Sequence, residues 1–155
     1  MKLQLLHVTC AQCGRDSHVA VMPEGIHGEF VLRSSGSLDE VYLNTLHDPT
    51  YDEVDALIRQ SRRLIGKDDW FRAHVLQSTY GEIACDPDST GSFFRIGKLP
   101  NCPLCGHASL HSWKALNPMQ FVDRDIAPVS HQRWLALSEA RRGFRVDDVL
   151  EAKGF

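Results

Sequence analysis

Two five-residue pieces of one pattern stand far apart in this chain: Cys10-Ala11-Gln12-Cys13-Gly14 and Cys102-Pro103-Leu104-Cys105-Gly106. Two thiolates separated by two residues can grip one metal ion from a tight turn. The glycine behind them accepts the backbone conformation that points amide hydrogens at sulfur. Two such pairs supply the four ligands of a closed tetrahedral site. The pairs are expected to share one ion, since neither has an obvious local completion. The 88 residues between Cys13 and Cys102 are a tolerable insertion because loop-closure entropy grows only logarithmically. A shared site forces two distant segments to meet at one point. A local set of Cys102, Cys105, His107 and His111 is the alternative, with His107 very near Cys105. Redox use of a thioredoxin-like kind needs the pair at a helix N-terminus, whereas strand-like sequence follows each pair here.

The remaining cysteine, Cys85, lies in an apolar run and reads as a buried core thiol. Five cysteines, an odd number, fit a reducing compartment better than a disulfide framework, and the chain reads as cytoplasmic. Residues 1–6 form too short an apolar stretch for a secretory signal, and no run approaches a membrane span. At 155 residues the chain fits one domain, 1–155. A net charge of −3 speaks against a nucleic-acid binder, which usually carries an excess of Lys and Arg on one face. The acidic part is the N-terminal third, with 3 basic and 6 acidic residues in 1–50.

Residues 2–9, 17–22, 29–33 and 41–43 read as strands of one small antiparallel sheet. The period then changes. Thr50 with Glu53 forms a capping-box pattern ahead of Val54, Leu57, Ile58, Leu64 and Ile65 at helical spacing, and Gly66 is a stop. A second helix is expected over 69–78, burying Trp70. Strands are expected at 81–85 and 92–96, joined by a turn through Asp86 and Asp88, and again at 108–115, with Trp113 on an apolar face and packed in the core. A helix from Ser130 to Arg142 should stop at Gly143, before a last short one from Asp147. The class is therefore α+β: an antiparallel region clasped at 10–14 and 102–106, a helical insertion over roughly 46–80, and C-terminal helices.

Leu99-Pro100-Asn101-Cys102-Pro103-Leu104-Cys105-Gly106 resembles the knuckles of zinc-ribbon and rubredoxin-like proteins, where C-P-x-C-G recurs. Cys10-Ala11-Gln12-Cys13-Gly14 resembles the partner knuckle without its proline. The resemblance covers about 20 residues and implies two β-hairpins clasping a metal, zinc rather than iron in a chain without other redox features. Cys10, Cys13, Cys102 and Cys105 are then the ligands of one structural Zn²⁺. Four thiolates leave no open position for catalysis. His27-Gly28-Glu29 and His47-Asp48 are faint hints of an enzyme, and Asp86 with Asp88 is a faint hint of a calcium loop. The function expected is binding of a protein partner, including stoichiometric inhibition of the immunity-protein kind. Asp16, Glu24, Glu29, Asp39 and Glu40 are the candidate patch for that partner. The rivals are a nucleic-acid binder using Arg59–Lys67 and Arg141–Arg145, and an enzyme with an unrecognised site.

Overall fold

The computed structural model describes residues 1–155. In chain order its elements are β1 (Lys2–Cys10), β2 (Asp16–Val21), β3 (Glu29–Ser34), β4 (Glu40–Asn44), α1 (Pro49–Gln60) and α2 (Asp69–Ala84). They continue with β5 (Phe94–Arg95), β6 (Leu110–Ala115), β7 (Phe121–Asp123), α3 (Gln132–Leu135) and α4 (Glu139–Ala152). The fold is α+β, as expected, but the first four strands do not form one sheet. β1 and β2 belong to a sheet of order β2-β1-β6, in which β7 also pairs with β1. β3 and β4 pair separately, in a sheet of order β4-β3-β5. The physical reason lies in β1: its second antiparallel neighbour comes from residues 110–123, which follow the second cysteine pair.

Sixteen buried side chains from β3, β4, β5 and the helices form the main core, including Leu32, Leu43, Ile58, Tyr80, Trp134 and Leu150. The two sheets meet over a small cluster of Leu3, Ala20 and Val31. Arg33 stands at this junction, only 7% exposed. Its guanidinium donates to Glu40 (2.9 Å), to the Lys98 carbonyl (2.9 Å) and to the Ala20 carbonyl (2.8 Å), tying β3 to β2 and to the loop beyond β5. Burial lowers its pKa, but a guanidinium so paired stays charged.

The helices depart from expectation at identifiable residues. α1 is capped by Asp48, whose carboxylate accepts from Thr50 N–H with Pro49 in the first turn, so the capping-box reading of Thr50 and Glu53 is replaced. α1 also stops at Gln60, and Ser61 starts a 3-10 turn over Arg62–Leu64. Residues 81–84 are the last turn of α2, where a strand was expected. Gly81 allows this: a Cβ there would stand 1.8 Å from the Phe94 carbonyl oxygen of β5. The expected strand over 92–96 is only Phe94–Arg95. Gly143 does not stop a helix; α4 runs through it from a Ser138 cap, and Asp147 lies within α4, accepting from the Ser61 hydroxyl at 2.8 Å. Trp134 is buried at 1% exposure, but Trp70 and Trp113, both expected in the core, are 78% and 58% exposed.

Candidate metal centre

The two cysteine turns are built alike. In the first, Cys10 N–H donates to the Arg15 carbonyl (3.1 Å) and Gly14 N–H to the Cys10 carbonyl (3.1 Å). In the second, Cys102 N–H donates to the His107 carbonyl (2.8 Å) and Gly106 N–H to the Cys102 carbonyl (2.8 Å). Gly14 and Gly106 have φ of 66° and 76°, the left-handed region that other residues enter only with strain. Gln12 and Cys13 aim their amides at Cys10 Sγ, at 3.4 and 3.5 Å. The β1–β6 ladder, with Cys10 opposite Leu110, and a bond from Ala11 N–H to the Ser109 carbonyl (3.1 Å) hold the turns together. The first turn closes the hairpin β1–β2. The second enters β6 from a loop, so the two-hairpin arrangement implied by the zinc-ribbon resemblance is only half present.

The four Sγ atoms lie within 4.8 Å of one another. Cys10 Sγ is 3.5 Å from Cys105 Sγ, and Cys13 Sγ is 3.8 Å from Cys102 Sγ. A tetrahedron with Zn–S bonds of about 2.3 Å has S–S edges of about 3.8 Å. The four cysteines therefore fit one tetrahedral ion, and neither His107 nor His111 joins the group. Cys10 and Cys102 are buried, Cys13 is half-buried and Cys105 is exposed.

The thiols share their protons unequally. The backbone N–H of Arg15, then its side chain, draws Cys13 down to about 6, and the Cys13 amide lowers Cys10. At Cys105 the His107 amide pulls the same way, yet desolvation and the three neighbouring sulfurs carry that thiol up to about 11. Four thiolates in this space repel one another, and a divalent cation removes that repulsion. The Arg15 guanidinium adds positive charge beside the sulfurs and reaches the Leu104 carbonyl at 3.5 Å.

The other sequence candidates find structural partners. Asp86 caps α3, accepting from the amides of Gln132 (2.9 Å) and Arg133 (2.8 Å), and Asp88 is saturated by Ser34, Ser37, Thr90 and Ser92, which leaves no calcium loop. Glu29 accepts from the Tyr42 hydroxyl (2.6 Å), and the loop before it turns at Gly28 (φ 75°). Within the supposed acidic patch, Asp16 accepts from Thr9, while Glu40 is paired with Arg33 and Arg124. On the basic helix face, Arg59 is held by Asp55 and Asp69, and Arg63 by Glu151.

One network escaped sequence reasoning. His131 Nε2 lies 2.8 Å from Asp48 Oδ2, and its Nδ1 lies 2.9 Å from the Ala84 carbonyl oxygen, to which only a protonated nitrogen can donate. The Tyr80 hydroxyl is 3.2 Å from the same Asp48 oxygen. These side chains join the starts of α1 and α3 to the end of α2, with His131 and Asp48 only 11% and 13% exposed. The neighbouring Cys85 is pushed up by burial, with Asp48 and Asp86 adding to the effect, the reverse of what a nucleophile requires. No local motif links positions 48, 80 and 131, and only the folded chain brings them together.

No protein-family model, no curated protein and no solved structure matches this chain.

Proposed function

We propose that this chain is a structural-zinc protein that acts as a cytoplasmic protein-binding module. Cys10, Cys13, Cys102 and Cys105 hold one Zn²⁺, which crosslinks the β1–β2 turn to the segment entering β6. A closed four-thiolate site supplies rigidity rather than a coordination position for substrate. The observation that carries the binding role is an apolar rim on the sheet that holds this site. Trp113, Met119 and Phe121 are 58%, 63% and 44% exposed along the β6–β7 edge. In the β1 register Trp113 stands opposite Val8 and Phe121 opposite Gln4, so both rings lie on one face of the sheet. Exposed aromatics on one rim of a rigid sheet mark an interaction surface. A small chain of net charge −3 suits a stoichiometric inhibitor of the immunity-protein kind within this class.

The test places a photo-crosslinking amino acid at Trp113, and at Gln60 as a control on the helical side, in tagged protein expressed in its native cells. A discrete protein adduct from position 113, absent from position 60, is expected, with about one zinc per chain retained. Adducts from neither position would overturn this reading, and nucleic acid bound with steep salt dependence would put the nucleic-acid one in its place.

A further inference from the structure

Antiparallel strands turn every second amide and carbonyl away from a given neighbour. β6 is the outermost strand on its side of the first sheet, and no hydrogen bond outside its ladder with β1 engages residues 110–115. His111 through Ala115 are all exposed. Natural sheet edges are usually blunted by proline, by charge or by a bulge. Here the register shift lies at the Leu110 end, and a single Lys114 is the charge, so the middle of the strand is open. The open stretch is bounded. At one end stands the cysteine turn. At the other, residues 116–120 make an excursion where β1 contributes Leu5 alone.

The two faces of this edge differ. Trp113 and Ala115 stand opposite Val8 and Leu6, on the apolar face, whereas Ser112 and Lys114 stand opposite Thr9 and His7. Lys114 takes part in none of the chain's ion pairs. We propose that β6 accepts an extended segment of its partner protein as an added strand, with an apolar residue beside Trp113 and, next to it in sequence, an acidic residue beside Lys114. Main-chain bonds to the open edge supply affinity, and the alternation of side chains supplies selectivity. This inference rests on the protein-binding reading and names the form of the partner.

The experiment titrates zinc-loaded, ¹⁵N-labelled full chain with a short synthetic peptide alternating Val and Glu. A counterpart carries Lys for Glu, and a third version is N-methylated at alternate positions. Amide shifts confined to 110–115 and the facing part of β1 are expected, with the Glu peptide bound about two- to five-fold more tightly than the Lys peptide. Lys114→Glu should reverse that order, and N-methylation should abolish the shifts. Shifts elsewhere, no shifts at millimolar peptide, or equal binding of the N-methylated form would overturn strand addition. Shifts of these amides on dilution of the protein alone would assign the edge to a second copy and overturn it as well. If the peptides fail while position 113 still crosslinks to a protein, only strand addition falls. If both fail, the protein-binding reading falls with it.

Discussion

Sixteen buried apolar residues, Trp134 among them, pack into one cluster, whereas the cysteine-bearing sheet has one cluster of three residues and shares another of three with β3. Burial of apolar area is what offsets the conformational entropy lost on folding, and the helical side has a large core of its own. The sheet that carries β1, β2, β6 and β7 leans on the junction at Leu3, Ala20, Val31 and Arg33, and on the cysteines at its far end. Two arrangements therefore coexist in one chain: burial where helices cover a sheet, and a four-cysteine cluster where a sheet edge is left open.

The sharpest way to break this contrast is to remove the crosslink. Structural zinc contributes on the order of 10 kcal/mol in small fingers, and the larger core here should confine the loss. With Cys102→Ser, or under a strong chelator, zinc should be lost. Amides over 5–19 and 100–115 should exchange freely, while those in α1, α2 and α4 remain protected. Hydrogen exchange resolved along the chain reads this directly. Uniform loss of protection in the helices would mean that the two sides are one cooperative unit and that the contrast is false.

The converse perturbation is Trp134→Ala. This residue is 1% exposed, donates to Glu53 at 2.9 Å and lies under the Arg142 guanidinium. Truncating a buried Trp costs about 3–5 kcal/mol. Denaturant unfolding should show that loss while elemental analysis still gives about one zinc per chain. A variant of unchanged stability that had lost its zinc would reverse the assignment of roles.

Legibility followed the same division. The grouping of the four cysteines could be read from spacing, because C-x-x-C-G is a local motif with a local geometry, and the structure brings together the four that the motif names. The helices of the main core were also readable from apolar periodicity, though their ends were not. Gly143 reads as a stop but lies inside α4; Gly81 reads as the start of a strand but lies inside α2, where β5 passes too close for any side chain. The strands of the first half were found but wrongly joined, since nothing within residues 1–45 reveals that β1 pairs with 110–123. The Asp48–His131–Tyr80 network and the open edge of β6 arise from long-range placement and carry no sequence signature. Trp113 illustrates the limit: an aromatic in an alternating strand reads as core, and only the absence of a further strand exposes it.

Acid offers the smallest and most selective comparison, because it reaches the two sides through different groups. At the four cysteines it protonates thiolates and would compete with a bound cation. On the other side it reaches Asp88, which accepts from the hydroxyls of Ser34 (2.6 Å), Ser37 (2.6 Å) and Thr90 (2.7 Å), and from the amides of Thr90 (2.8 Å) and Ser92 (2.9 Å). The hydroxyls of Ser34 and Ser37 lead in holding this carboxyl well below the usual Asp range. A folded-state value below the unfolded one of about 3.9 means that the contribution is complete above that value and is lost as pH falls through the folded one. The stability difference between the native chain and Asp88→Asn should therefore be flat from about pH 8 to 5 and shrink between about pH 5 and 2. Subtracting the two profiles removes the acid sensitivity of the cysteine site, which both proteins share. A difference that stays constant down to about pH 2 would show that Asp88 gains nothing on folding from its five donors. The turn joining α2 to β5 would then owe its form to backbone geometry alone.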